Sequence, residues 1–441
     1  MSRPSGTSDA RATANAPASE AKDAKAARKT KAAEAADAAA TGATTLAPVH
    51  PAEVPAETEP ATGATPTPTD TPDAGTPAPE TEPAGAAAEV TATTRVLTFA
   101  GSMIAGLWNM VVTGLAAIFA WIEAWLYGEK KALYGLAVTR ILFGVTALGL
   151  LAANFGTRLY TFGSGSAWNG EMAEPVSDFP KIWIFSTFHA VMGNDVVYTL
   201  MYLLLGVLAV LFVLGWRFRI VLPVFFCLWV GFIEANDMVG DQGDNMFRIA
   251  LLLLFFADPA ARWSLDARRR ARKGEWFEPG SQPAILGTVF HNLALVALTA
   301  QVCFVYASGA LFKAAGSPWS EGYAVYNPLH TMRFGTWPVL SDLVTAWGPA
   351  VTMMTWGSII LQVAFPLALL LRPTRLVALV GILSFHIGIA VLMGLPWFSL
   401  TMIAIDSIFI RDRSWERLHD GVVRRWRAAG KAPAASPPAT A

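Results

Sequence analysis

From residue 96 onward the chain reads as a series of long apolar runs separated by short polar breaks. A helix needs about 20 consecutive apolar residues to cross the hydrocarbon of a bilayer. On that measure eight spans are predicted, approximately 135–156, 196–216, 219–235, 245–258, 285–310, 343–371, 375–394 and 397–410. The fourth is short and carries Arg248, so it is expected to be tilted or partly submerged and wrapped by its neighbours. An earlier run, 96–122, is uncharged and long enough to span. Its Asn109 and small residues equally suit a partly wetted helix along the interface, the placement favoured here over an additional crossing.

Residues 1–90 have a different texture: Ala, Thr, Pro, Glu, Lys and Gly with almost no aromatic or branched apolar residues. Such a composition buries too little surface to repay ordering, and a disordered tail is expected. Its basic cluster, AKDAKAARKTKAA, reads as solvated rather than as a contact for lipid or nucleic acid. It has no apolar core of a secretory signal, so targeting falls to the first membrane helix. After residue 418 a short basic stretch and a second disordered tail, 419–441, are expected.

Composition agrees with the pattern. The 441 residues are 54% hydrophobic and only 15% charged, where soluble proteins carry nearer a quarter. The fold class is therefore all-α, a polytopic transmembrane bundle. Cys227 and Cys303 both fall in apolar runs and offer no disulfide framework, CxxC pair or zinc spacing; they read as small buried hydrophobes.

The net charge of zero conceals a segregation of sign. GEKK (128–131), WRFR (216–219), RWSLDARRRARK (262–273), RPTR (372–375) and RDRSWERL (411–418) fall on one side of the predicted topology. The alternate loops hold EMAEPVSD, EANDMVGDQGDN and SPWSEGYAVYNPLH. Cytoplasmic loops collect Lys and Arg. The expectation is a multi-pass protein of the cell membrane with a cytoplasmic C-terminus, and with Glu234, Asp237, Asp241, Asp244, Lys313 and Glu321 facing the other compartment.

Lys313 stands out as the first charge after thirty-four residues, 279–312, without Asp, Glu, Lys or Arg. Beside Gly309, Gly316 and Trp319 it is either a boundary lysine that snorkels to the surface, or an amine whose desolvation favours the neutral form that acts as a base. His386 lies mid-way in a run uncharged from 376 to 405, where imidazole serves as a proton shuttle or is satisfied by a neighbouring helix. His291, nearer the basic end of its helix, reads as structural. EANDMVGDQGDN puts four carboxylates in eleven residues but lacks the full twelve-residue calcium loop and its terminal Glu, so no metal is predicted. Asn245 and Arg248, entering the next helix, are the expected contacts for a buried group in that segment. Gly-rich phosphate loops, HExxH and GxSxG are absent from the sequence. A transporter is disfavoured, because no inverted repeat is evident and most helix centres are uncharged.

Three stretches resemble one family. FADPAARWSLD (256–266), VYASGALFKAAGSPWSEGYAV (305–325) and SFHIGIAVLMGLPWFSL (384–400) resemble, in order, the helix ending in Asp before a Trp-Ser-x-Asp turn, the glycine, lysine and Trp-x-Glu-Gly segment, and the Phe-His helix of the HTTM (horizontally transferred transmembrane) domain. That domain is the membrane module of vitamin K-dependent γ-carboxylases and of many bacterial proteins, and the resemblance covers about 130–418. It implies that Lys313 matches the region of the lysine that deprotonates vitamin K hydroquinone. That match makes a reduced quinone of menaquinone or vitamin K type the expected cofactor. With His386 and the aromatic SPWSEGYAVY loop converging on the same outer half of the bundle, Lys313 and His386 are the expected catalytic residues and Asn245, Trp319, Glu321, Gly322 and Tyr323 the expected substrate-binding ones.

The chain departs from the carboxylase pattern at several points. Ala314 stands where a second lysine follows, Asp244-Asn245 where an Asn-His pair precedes the fourth helix, and Gln362 at a position often acidic. About thirty residues follow the last span, in place of the large domain that holds the peptide substrate. Two functions follow as expectations: a membrane protein binding a quinone-like or other lipophilic ligand with carboxylase-like chemistry, or a non-enzymatic partner in maturation, export of or immunity to a secreted peptide. Nucleic acid is not an expected partner; membrane lipid is.

Overall fold

A computed structural model describes residues 92–166, 178–236 and 239–429. The expectations for 1–90 and 430–441, for most of EMAEPVSD and for Asp237 lie outside these residues. The described residues form helices and turns, with no strand among them. Twelve helices carry the architecture. They are α1 (Ala92–Tyr127), α2 (Leu133–Asn154), α3 (Asp195–Leu214), α4 (Phe218–Ile233), α5 (Gln242–Leu254), α6 (Leu265–Lys273), α7 (Gln282–Ala314), α8 (Pro338–Thr345), α9 (Gly348–Ala368), α10 (Arg372–Leu392), α11 (Pro396–Asp406) and α12 (Asp412–Ala429).

Local sequence explains many of the boundaries. Asn194 caps α3, its side-chain oxygen accepting from the Val196 and Val197 amides at 3.2 and 3.1 Å, and Gly215 ends the helix in the left-handed region at φ 60°. Proline occupies the first turn of α7, α9, α10 and α11, where its missing N–H costs nothing. Among the described residues, α1, α2, α3, α7, α9 and α10 are long and apolar enough to cross a membrane. Thr94–Tyr127 thereby meets the length and composition of the second of its two expected placements, an additional crossing. The predicted run 343–371 is divided: α8 ends at Thr345, and α9 starts at Gly348 beside Pro349.

The remaining apolar helices are shorter than a crossing needs, as expected for the fourth predicted span. α4 has 16 residues, α5 has 13 and α11 has 11, and 13 residues rise only about 20 Å against about 30 Å of hydrocarbon. The short helices are wrapped by the long ones. α11 packs on α2, α5, α7 and α10, and α5 packs on α4, α7 and α11. With protein on their flanks they need not match the bilayer, because their backbone groups are satisfied internally.

Between helices in lipid, packing replaces hydrophobic exclusion as the cohesive term. α2 to α5 interlock through aromatic rings, with Phe143 and Phe247 centroids 4.2 Å apart, Phe212 and Phe225 4.8 Å, and Trp229 and Phe247 5.1 Å. Two glycines let backbones touch. A Cβ on Gly135 would lie 2.9 Å from the Ile408 Cα, and one on Gly144 would overlap the Val213 side chain.

The basic segments meet at one end of this bundle, and FADPAARWSLD is the knot that ties them. The Asp258 carboxylate accepts from Lys130 at 3.1 Å and from Arg270 at 3.0 Å, while its backbone amide donates to His291 Nδ1 at 3.0 Å. That bond fixes the imidazole tautomer, so Nε2–H donates to the Lys131 carbonyl at 2.8 Å; His291 is structural, as expected. Ser264 caps α6 by accepting from the Ala267 amide at 2.8 Å. Asp266 caps a different helix, accepting from the Arg217 and Phe218 amides at the start of α4 at 3.0 and 2.8 Å. In the same way Asp412 caps α2 through Leu133 and Tyr134 at 3.0 and 2.9 Å. Arg140, fully buried in α2, donates to the carbonyls of Phe212, Val213, Pro259 and Trp263.

Candidate functional site

Towards its C-terminal end α7 carries two polar groups on one face. Tyr306 and Lys313 are seven residues apart, two turns, and so lie above one another. Lys313 is also twenty-two residues beyond His291, a rise of about 33 Å, which places it at the end of the bundle opposite the basic knot.

There α7, α9, α10 and the segments 319–329 and 393–398 enclose a cavity of about 600 Å³, inside the 300–1,000 Å³ typical of ligand pockets. Its wall is apolar, with Met353, Leu361, Phe385, Ile389 and Phe398 among the contributors; Ser358 and Ser384 are the small polar ones. The charged residues lining it are Lys313 and Asp241. The Asp241 carboxylate is committed to helix capping. It accepts from the Gly243 amide at 2.6 Å, and Asp244 returns the contact by accepting from the Asp241 amide at 3.0 Å. The Lys313 Nζ donates to Gln362 Oε1 at 2.7 Å and lies 5.2 Å from the Trp319 ring centroid and 5.4 Å from that of Phe385. A cation at such distances is stabilised by the ring faces without being neutralised.

Glycines keep this space open. Gly357 and Gly388 line the cavity, and a Cβ on either would meet nothing within 4 Å. The vacancy is therefore not demanded by close helix contact. Gly322, in contrast, is a folding requirement: its φ is 84°, and a Cβ there would sit 2.9 Å from Thr352 Cγ2. The turn it ends is pinned by the Trp356 indole, which donates to the Trp319 carbonyl at 3.1 Å.

Beside the cavity is a second cluster. The Tyr306 hydroxyl donates to Asp406 Oδ2 at 2.7 Å and lies 3.0 Å from His386 Nε2. With the phenol O–H directed at Asp406, Nε2–H of the imidazole donates to the phenol oxygen. His386 Nδ1 and Asp406 Oδ1 are then buried without a partner among the described residues.

The expected site residues divide between these places. Lys313 and Trp319 line the cavity. His386 faces the Tyr306 cluster instead, while its neighbour Phe385 turns to the cavity. Gly322 shapes the turn, and Glu321 and Tyr323 are exposed, Tyr323 by 41%. Asn245 lies apart from the cavity, accepting from Arg248 Nη2 at 2.7 Å in a group where Arg248 also pairs with Glu234 and stands 4.3 Å over the Phe179 ring. Arg248 thus has its partners within the protein. Tyr306 and Asp406 were not singled out from the sequence. The available signals were the seven-residue spacing from Lys313 and the single carboxylate that closes the run uncharged from 376 to 405.

The profile of the HTTM domain matches residues 130–415. The chain belongs to the HTTM domain family. It is the family of the membrane module of vitamin K-dependent carboxylases. The boundaries of the HTTM domain coincide with its knot: it begins at Lys130, which pairs with Asp258, and ends at Trp415, whose ring packs 6.3 Å from Trp263. α1 and most of α12 lie outside it. No curated protein and no solved structure matches the chain.

Proposed function

We propose that this HTTM protein binds a quinone-like lipophilic ligand in the cavity beside Lys313 and carries out carboxylase-like, quinol-dependent chemistry there. The observation that carries the reading is the Lys313 amine at the wall of a largely apolar cavity, held by a neutral amide rather than a carboxylate. Without a buried counter-charge the nitrogen can exist as ammonium or as free base, so it is suited both to anchoring a ligand oxygen and to taking a proton from it. Gln362 aims Nζ, Trp319 and Phe385 shield it from water, and the apolar wall suits a ring with an isoprenoid tail. A reduced quinone would supply acidic hydroxyls and two electrons. Menaquinone and vitamin K share that chemistry. The positive-inside rule places the knot of Lys and Arg in the cytoplasm and the cavity on the extracytoplasmic side of the cell membrane.

Gln362 also favours a second reading. It cannot receive a proton from the amine, and the other charged residue of the cavity wall, Asp241, is engaged in the cap of α5. This suits a non-enzymatic partner in the maturation, export of or immunity to a secreted peptide. Purified protein and Lys313→Ala, assayed for menaquinone binding and for oxygen-dependent menaquinol turnover, separate the two. Binding and turnover that both fall in the variant support the first reading. Binding without turnover moves the case to the second, and absence of menaquinone binding ends the first.

A further inference from the structure

We propose that the groove at the basic end of the bundle is a binding site for the phosphate headgroup of an anionic phospholipid. The groove encloses about 870 Å³ and lies between α6, the start of α4 and the first turns of α7. Six cations line it, Lys130, Arg217, Arg219, Arg262, Arg269 and Arg270, against Asp258, Asp266 and Glu275. Two of the carboxylates are already engaged: Asp258 between Lys130 and Arg270, and Asp266 with Arg269 and the α4 cap. Charge is therefore left over. Arg217 stands over the Trp216 ring at 5.4 Å, and Arg262 over Tyr134 at 5.6 Å. Both are exposed, and neither has a carboxylate within 4 Å among the described residues.

The other walls have the chemistry of a membrane boundary. Leu133, Ile220, Pro283, Ala284 and Gly287 continue the groove from its charged rim onto the apolar start of α7, one of the helices long enough to cross the membrane. On the rim Trp276 and Phe277 are 79% and 55% exposed, aromatics of the type that collect at headgroup level. α12, next to the groove through the contacts of Trp263 with Trp415 and His419, presents Leu418, Val422 and Trp426 exposed, interleaved with Arg417, Arg424, Arg425 and Arg427. That is the pattern of a helix lying on an anionic leaflet. Two guanidiniums without carboxylate partners, lining a groove that continues onto an apolar wall, fit a phosphodiester whose acyl chains run along that wall; a soluble acidic peptide would leave the wall uncovered.

The test uses the full chain in neutral detergent, titrated by calorimetry with dihexanoyl phosphatidylglycerol, dihexanoyl phosphatidylcholine, inorganic phosphate and a hexaglutamate peptide. Saturable binding of the phosphatidylglycerol, at least about tenfold tighter than of the phosphatidylcholine, is expected. Affinity should be about thirtyfold weaker in Arg217→Gln/Arg262→Gln and largely retained in Arg217→Lys/Arg262→Lys. Because the paired variants alter the rim, the unsubstituted protein supplies an independent reading: raising NaCl from about 50 to about 500 mM should weaken phosphatidylglycerol binding and leave phosphatidylcholine unchanged. Equal affinity for the two lipids, equal or tighter binding of phosphate or hexaglutamate, or no effect of the paired Gln substitutions would overturn the proposal.

Discussion

The amine of Lys313 on α7 donates a 2.7 Å hydrogen bond to the side-chain oxygen of Gln362 on α9, across two helices that pack along their lengths. This pair sets the chemistry of the cavity, because its acceptor carries no charge. Gln362→Leu should leave a part-buried amine without its acceptor, lowering stability in detergent by about 1–3 kcal/mol in a thermal or denaturant melt. Gln362→Glu should hold the amine as ammonium. Menaquinol turnover should then fall by about a hundredfold while the melt is little changed.

The open glycines predict a trade of stability for space. Gly388→Ala adds a methyl that meets nothing within 4 Å, in the interior of a helix, and should stabilise by about 0.5–1 kcal/mol. Gly381→Ala should gain less, since its Cβ would lie 2.8 Å from Leu361 Cδ1, which must shift. Gly388→Phe should fold yet lose menaquinone binding, because the ring fills the volume the ligand needs. Melting curves with and without menaquinone check all three.

Tyr306→Phe removes the hydroxyl shared by Asp406 and His386 and strands two buried polar groups. The expected loss is about 1–3 kcal/mol. Pairing it with His386→Leu should cost less than the sum of the two single losses, since one stranded group is removed with its partner. A double-mutant cycle read by chemical denaturation measures that coupling.

The two carboxylates that cap helices in other parts of the chain should each be worth about 1–2 kcal/mol. Asp266→Ala frees the start of α4, and Asp412→Ala frees the start of α2. The second variant should also loosen α12, so limited trypsin digestion should cut near Arg411 faster than in the unsubstituted protein.

Run lengths made the helical bundle legible, because crossing a bilayer imposes that pattern directly. The shortness of α5 and its Arg248 marked it as a helix wrapped by its neighbours, but α11 gave no such signal, since a wrapped helix and a crossing one draw on the same apolar residues. Lys313 was visible as an isolated charge, and Trp319 through the motif around it. Glu321 and Tyr323, only two and four residues further on, are exposed because the chain reverses at Gly322. Asn245 was read from a motif position, but its partner is the arginine one turn along α5. Tyr306 and Asp406 remained hidden because a tyrosine in an apolar helix and one acid at a helix end are ordinary features until the fold brings them together.

A photoreactive menaquinone analogue tests whether a lipophilic quinone sits in the cavity beside Lys313. Irradiated with the purified protein and mapped by peptide mass spectrometry, the analogue should label the cavity-lining stretches of α9 and α10, at Met353–Leu361 and Gly381–Leu392. Excess menaquinone and the Gly388→Phe substitution should each suppress that labelling. Labelling confined to the exposed surface of α1, or labelling of α9 and α10 that neither treatment diminishes, would contradict the claim.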